Sequence, residues 1–133
     1  MKFILKNKIS ELNKLAAELE KFSAGHNLSK NILFDINLAL DELVTNIISY
    51  GFEENTDHEI IISIDKKEDR VDIILEDDGK EFNPLNEKEP EFGGSIDERE
   101  IGGLGIYFVK QKMNSVDYER QNNKNILRLV KQI

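Results

Sequence analysis

"LALDELVTNIISYG" (Leu38–Gly51) spaces its apolar residues as a helix does, yet sets a carboxylate and an amide four positions apart. Glu42 and Asn46 are one helical turn apart and share a face. Asn disfavours helix interiors because its side chain competes for backbone hydrogen bonds, so its presence asks for a reason. Two readings stand: the pair marks the solvated side of an amphipathic helix, or both side chains reach toward something charged. Working outward, Ser29 or Asn27 can cap this helix at its start, and Gly51 stops it. Its apolar side carries Ile32, Leu33, Ile36, Leu40, Leu43, Val44 and Ile47. Asn31, Asp35, Glu42, Asn46 and Ser49 fall opposite, in a stripe about 60° wide that Leu38 interrupts.

Upstream, "FILK" (Phe3–Lys6) suits a short edge strand, and Ile9 to Phe22 repeats apolar residues at helical spacing. Gly25 in "SAGHN" is suited to ending that first helix. Downstream, "EIIISI" (Glu59–Ile64) and "RVDIILED" (Arg70–Asp77) are β-branched strands around the turn-like "DKKED". From Asp78 to Gly102 the chain holds both prolines and no clear period, and a loop this long is usually functional or mobile. "GIYFVKQKM" (Gly105–Met113) reads as a helix opening from glycines, and "VDYERQ" and "NILRLVK" as a hairpin around "NNK". The order predicts an α+β sandwich, with helices on one face of a mixed or antiparallel sheet.

Composition narrows the function. The 133 residues suit one domain with a single core, and the apolar fraction of 39% with 33% charged residues describes a soluble globular protein. A formal net charge of −8 argues against direct nucleic-acid or acidic-membrane binding. It leaves room for a phosphate-bearing ligand where backbone amides or a metal supply positive potential. The absence of cysteine excludes disulfides and thiolate metal sites, and two histidines make a histidine metal site or Ser-His-Asp triad a poor reading. His26 and His58 fall at expected loop edges. No membrane span or signal peptide is legible, so a cytoplasmic location is the expectation.

Two further stretches carry possible chemistry. In "IGGLGIYFVK", Gly102, Gly103 and Gly105 precede or begin a helix, where free N–H groups can meet an anion and missing Cβ atoms allow close approach. Glycines before a helix are also common in plain loops. In "EDDGKEFNP", Asp77 ends an apolar strand, where it can accept a hydrogen bond from an exocyclic amine, and Gly79 turns the chain. Asp-Asp-Gly is equally an ordinary strand-ending turn. The Glu42/Asn46 pair can serve a metal-bound polyphosphate, Asn giving a neutral oxygen to Mg²⁺ and Glu orienting or deprotonating a nucleophile.

In chain order, E-x-x-x-N on a helix, D-x-G after a strand, a long loop and G-x-G at a helix resemble the N, G1 and G2 boxes of the GHKL (Bergerat-type) ATP-binding fold. Within it, "LALDELVTN", "DDGKEFNP" and "GGLGIYFVK" are most similar to the bacterial anti-sigma-factor serine/threonine kinases. The resemblance covers about residues 30 to 132, with the amino-terminal strand and helix fitting in outline. It implies that Asn46 coordinates Mg²⁺ bridging the ATP phosphates and that Glu42 is the base or water-orienting carboxylate. It implies that Asp77 reads the adenine amino group, with the base against Gly79. Gly103, Leu104 and Gly105 would offer N–H groups to the phosphates, and a lid would span about 83–102. The implied activity is phosphorylation of a small antagonist protein on Ser or Thr, with a sigma factor or similar regulator as the switched partner and a homodimer as the suggested assembly. A module that binds ATP and sequesters a regulator without phosphoryl transfer is the alternative. A sensor-histidine-kinase fragment is disfavoured, since no dimerisation helix with a phospho-accepting His is present. Three positions depart from the pattern. Glu81 replaces a second glycine found in many superfamily members, Tyr50 stands where these kinases commonly have His, and "NILRLVK" has no Ser or Thr to support Asp77.

Overall fold

Among the described residues, five strands form one antiparallel sheet in the order β1-β2-β3-β5-β4, and three helices cover one of its faces. The strands are β1 (Lys2–Lys6), β2 (Glu59–Lys66), β3 (Arg70–Asp77), β4 (Ser115–Gln121) and β5 (Lys124–Gln132). The helices are α1 (Leu12–His26), α2 (Lys30–Tyr50) and α3 (Ile101–Lys112). The computed structural model describes residues 1–53, 55–86 and 101–133. The expected lid therefore lies mostly outside the described residues. Its first residues include a short 3₁₀ turn, Pro84–Asn86, and its last two belong to α3.

Alternation along the strands decides which face the helices cover. Ile60, Ile62 and Ile64 of β2 and Val71, Ile73 and Leu75 of β3 point inward and are almost fully buried. Ile61 and Ile74, one position out of phase, lie on the other face, where Ile74 is exposed. Each buried Ile or Leu contributes on the order of 1.5–3 kcal/mol by leaving water, so a one-residue slip would invert the whole set. The register is thus firmly held: Ile62 opposes Leu75, and Leu75 in turn opposes Leu127.

Local signals set most boundaries. Ser29 caps α2, its Oγ accepting from the Ile32 N–H at 3.2 Å, and Gly51 ends it with an N–H donated to the Ile47 carbonyl at 2.8 Å. The last hairpin turns through Asn122 and Asn123, both at positive φ (53° and 62°), as a two-residue twisted turn demands. Two expectations shift. The first helix runs through Gly25 to His26 and is closed by Asn27 in the left-handed region at φ 53°, its N–H reaching the Ser23 carbonyl. Asn tolerates that conformation, so glycine is not required there. The last helix begins at Ile101, four residues before Gly105.

Candidate functional site

The central helix α2 is the shared support of all three sequence boxes. Asn46 is 5% exposed, so its part of the stripe is covered, while Asn31 and Ser49 at the two ends are exposed. Helix α3 is what covers it: a β-carbon on Gly105 would overlap the Glu42 carboxylate, and Lys112 of α3 approaches Asp35 at 3.9 Å. Asn46 Nδ2 donates to Glu42 Oε1 at 3.3 Å, which leaves Asn46 Oδ1 available as a neutral oxygen ligand. Partial burial pushes the Glu42 carboxyl above its usual range, with the Asn46 hydrogen bond pulling the other way.

The acidic turn is fastened to the end of the same helix. The Lys80 N–H donates to the Gly51 carbonyl at 2.9 Å, and the rings of Tyr50 and Phe82 meet at 5.8 Å. Gly79 lies so close to the Gly51 carbonyl that a β-carbon would overlap it, so glycine is required here by space. Tyr50 therefore braces the turn by ring contact. His58 braces it from the other side, pairing with Asp78 at 2.9 Å while stacked on Phe52.

Asp77 is buried, and desolvation pushes its carboxyl up, opposed by hydrogen bonds from Asn125 and Gly79. Both donors reach the same oxygen: Gly79 N–H to Oδ1 at 2.9 Å and Asn125 Nδ2 to Oδ1 at 3.0 Å. Among the described residues no donor reaches Oδ2, and that oxygen is not fully enclosed. One acceptor is thus fixed by the protein and the other faces accessible space.

Asn125 is the site residue that sequence reading missed. The last strand lacks Ser and Thr, but its second residue supplies an amide in their place. Asn125 Nδ2 also donates to the Lys80 carbonyl at 2.8 Å. Its Oδ1 accepts from Tyr118 Oη at 2.5 Å and from the Phe82 N–H at 3.2 Å. All four hydrogen-bonding positions of the amide are filled, which fixes its orientation. Arg120 of β4 completes the frame by donating to the Gly79 carbonyl at 2.7 Å. A signal was present in the sequence, since Asn is an unfavourable strand residue next to "ILRLV".

The glycine box is placed in part. With α3 starting at Ile101, Gly102 and Gly103 fall in the first turn, where backbone N–H groups have no partner within the helix. Leu104 and Gly105 follow them inside the helix. Of the two positions that the sequence left open, the glycines begin the helix rather than precede it, and what shifts is the helix start, from Gly105 to Ile101. A cavity of about 540 Å³ also touches Asp77, but it is lined by Lys6, His58, Glu59 and Glu76 and includes neither Glu42 nor Asn46. It lies apart from the convergence of the boxes on α2.

Among the described residues no cluster of three or more His, Cys, Asp or Glu could hold a metal, and no helix is long and apolar enough to cross a membrane. An amide oxygen of Asn46 beside the Glu42 carboxylate would suit an ion that keeps waters and takes its other oxygens from a ligand.

Comparison with known proteins bears on the family and the fold. Residues 5–131 match the family model described as a histidine kinase-like ATPase domain. The chain is 25% identical to the serine/threonine-protein kinase BtrW of Bordetella bronchiseptica over 84% of its length and 78% of the relative's. It is 26% identical to the serine-protein kinase RsbW of Bacillus subtilis, over 69% of this chain and 60% of that one. It is 33% identical to an anti-sigma F factor of Clostridium perfringens, over 69% and 66%. Apart from BtrW, the match spans only 55–66% of the length of these curated relatives. The structure superposes on the RsbU and RsbW domains of a Mycobacterium tuberculosis protein with a TM-score of 0.65 at 12% identity, covering 98% of this chain and 32% of that one. It also matches a blue-light activated histidine kinase domain of Erythrobacter litoralis (TM-score 0.56, 14% identity, 92% of this chain and 59% of that one). The chain therefore belongs to the histidine kinase-like ATPase domain family, in the branch of the anti-sigma-factor serine/threonine kinases.

Proposed function

We propose that this protein binds ATP with Mg²⁺ and transfers the γ-phosphoryl group to a serine or threonine hydroxyl of a small antagonist protein. A sigma factor or similar regulator is its alternative partner. The observation that carries this reading is the attachment of three boxes to one helix, Glu42 against Gly105 and Gly79 against Gly51, with Asn46 buried between. The kinase names of the relatives support it.

Asp77 accepts the exocyclic amine of adenine at Oδ2, since its other oxygen is already taken by Gly79 and Asn125. Gly103, Leu104 and Gly105 form the phosphate side, with the free N–H groups of the first turn of α3 nearest the anion. Asn46 would hold the metal through Oδ1, and Mg²⁺ would supply there the positive charge that offsets the phosphates. Glu42 takes the proton of the attacking hydroxyl as its oxygen bonds to the γ-phosphorus and the bond to the β-γ bridging oxygen breaks, releasing ADP. A carboxyl raised by partial burial is better matched to that proton than an exposed one.

Single-turnover transfer and nucleotide affinity, measured on one antagonist protein, test the assignment. Asn46→Ala should lose affinity and transfer together. Glu42→Gln should keep affinity within about a few-fold while transfer falls about 10²–10⁴-fold, because an anionic carboxylate adds little to binding an anion. Full transfer by Glu42→Gln would remove Glu42 from the role of base. Absence of transfer by the parent would remove the kinase assignment.

A further inference from the structure

The edge strand β4 reaches the acidic turn with two side chains. Its alternate residues Val116, Tyr118 and Arg120 face the helices, with Tyr118 opposite Leu127 of the core and Arg120 opposite Asn125. Arg120 takes the Gly79 carbonyl directly, at 2.7 Å. Tyr118 acts one residue removed: its Oη donates to Asn125 Oδ1 at 2.5 Å, and Asn125 Nδ2 donates to Asp77 Oδ1 at 3.0 Å. The backbone fixes the direction of these bonds. Asn125 Oδ1 faces the Phe82 N–H, which can only donate, and Nδ2 faces the Lys80 carbonyl, which can only accept. The amide therefore cannot be turned over, and the hydroxyl opposite Oδ1 has to give it a proton. Burial, aided by the nearby Glu81 carboxylate and opposed by Arg120, pushes the Tyr118 hydroxyl above its ordinary range, so it stays a donor. Among the described residues, Tyr118 is the one partner of this amide that lies outside 77–82. It braces Asn125 from beyond the turn that Asn125 itself holds.

We propose, on the reading of Asp77 as the adenine contact, that Tyr118 is a positioning residue for purine recognition. Through Asn125 it holds Asp77 Oδ1 in place, so that Oδ2 presents a fixed acceptor to the exocyclic amine of the base. The terminal torsion of an aspartate is broad, and without firm donors on Oδ1 the carboxylate samples rotations that move Oδ2 off the amine. The effect of Tyr118 therefore falls on the contact with the amine and spares the phosphate end, which α2 and α3 supply.

ATP and purine riboside triphosphate, which lacks the exocyclic amine, are the probes, each titrated with Mg²⁺ into the full chain by calorimetry. The parent should prefer ATP by about 10- to 150-fold, the worth of a hydrogen bond to a charged group. Tyr118→Phe keeps the ring and its packing and removes only the hydroxyl. It should lower that preference about three- to tenfold through weaker ATP binding, the worth of one neutral hydrogen bond. Purine riboside triphosphate should bind the variant within about twofold of the parent, which also shows that the site is folded. On an Asp77→Asn background the same change should leave ATP affinity unmoved, because the amine contact is already lost. An undiminished preference in Tyr118→Phe, or equal weakening of both nucleotides, would overturn the positioning role while leaving Asp77 as the adenine contact. Additive loss in the double variant would overturn it too, since Tyr118 would then act by a route other than Asp77. A parent that binds both nucleotides alike would overturn the adenine reading, and the role of Tyr118 with it.

Discussion

The Glu42 carboxylate fills the space that a side chain at Gly105 would need. The absence of a β-carbon on α3 is therefore what lets the proposed base lie against the glycine-bearing helix, and the two positions act as one unit.

Gly105→Ala should separate stability from activity. The obstructing atoms belong to the end of a flexible side chain, so Glu42 can swing aside at little cost, while Ala is favoured over Gly inside a helix by up to about 1 kcal/mol. The variant should melt at or slightly above the parent temperature and lose most phosphoryl transfer. Thermal unfolding beside single-turnover kinetics reads both. Unchanged transfer would mean that the Glu42 position seen here is not the working one.

Asn125→Val should be among the costliest single changes in the chain. It strips partners from Asp77 Oδ1, the Lys80 carbonyl, the Phe82 N–H and Tyr118 Oη at once. A buried group left unpaired costs about 1–3 kcal/mol, so a loss of about 2–4 kcal/mol in urea unfolding is expected even if water reaches some of them. ATP affinity should fall as well, because Asp77 loses one of the two bonds that orient it. Asn125→Thr, which restores a hydroxyl, should recover part of the affinity.

The pH dependence of folding has a defined sign. Asp77 is raised above its ordinary 3.8 by burial, so the folded state holds its proton more tightly than the unfolded chain does. This contribution is fully present below the unfolded value and is lost as pH rises through the higher folded value. Asp77→Asn removes it, so the variant should gain stability relative to the parent across that rise and keep the gain at neutral pH. The same substitution should weaken ATP about 10- to 150-fold, the worth of a charged hydrogen bond. Urea midpoints from acid to neutral pH, with calorimetric titration of ATP, measure both. A parent-like pH profile would contradict the burial argument, and parent-like affinity the adenine assignment.

Local chemistry in the sequence determined the elements and their order. Ser29 and Gly51 bound α2 because a cap and a stop are properties of a few neighbouring residues. The Asn-Asn turn and the β-branched runs likewise specify hairpin and strands through conformations available to each residue alone. The grouping of Glu42, Asn46, Asp77 and Gly79 was an expectation that came from the family resemblance of their short motifs in chain order, since each motif alone also has an ordinary structural reading. Tertiary structure decided what depends on distant partners. Asn46 reads as half of a solvated stripe until α3, some 60 residues later, covers that flank. Asn125 has no local reason to matter, since the carboxylate it holds lies 48 residues away. Periodicity tells which face of an element is apolar, but only packing tells which neighbour claims the rest, and the site is made from those remaining faces.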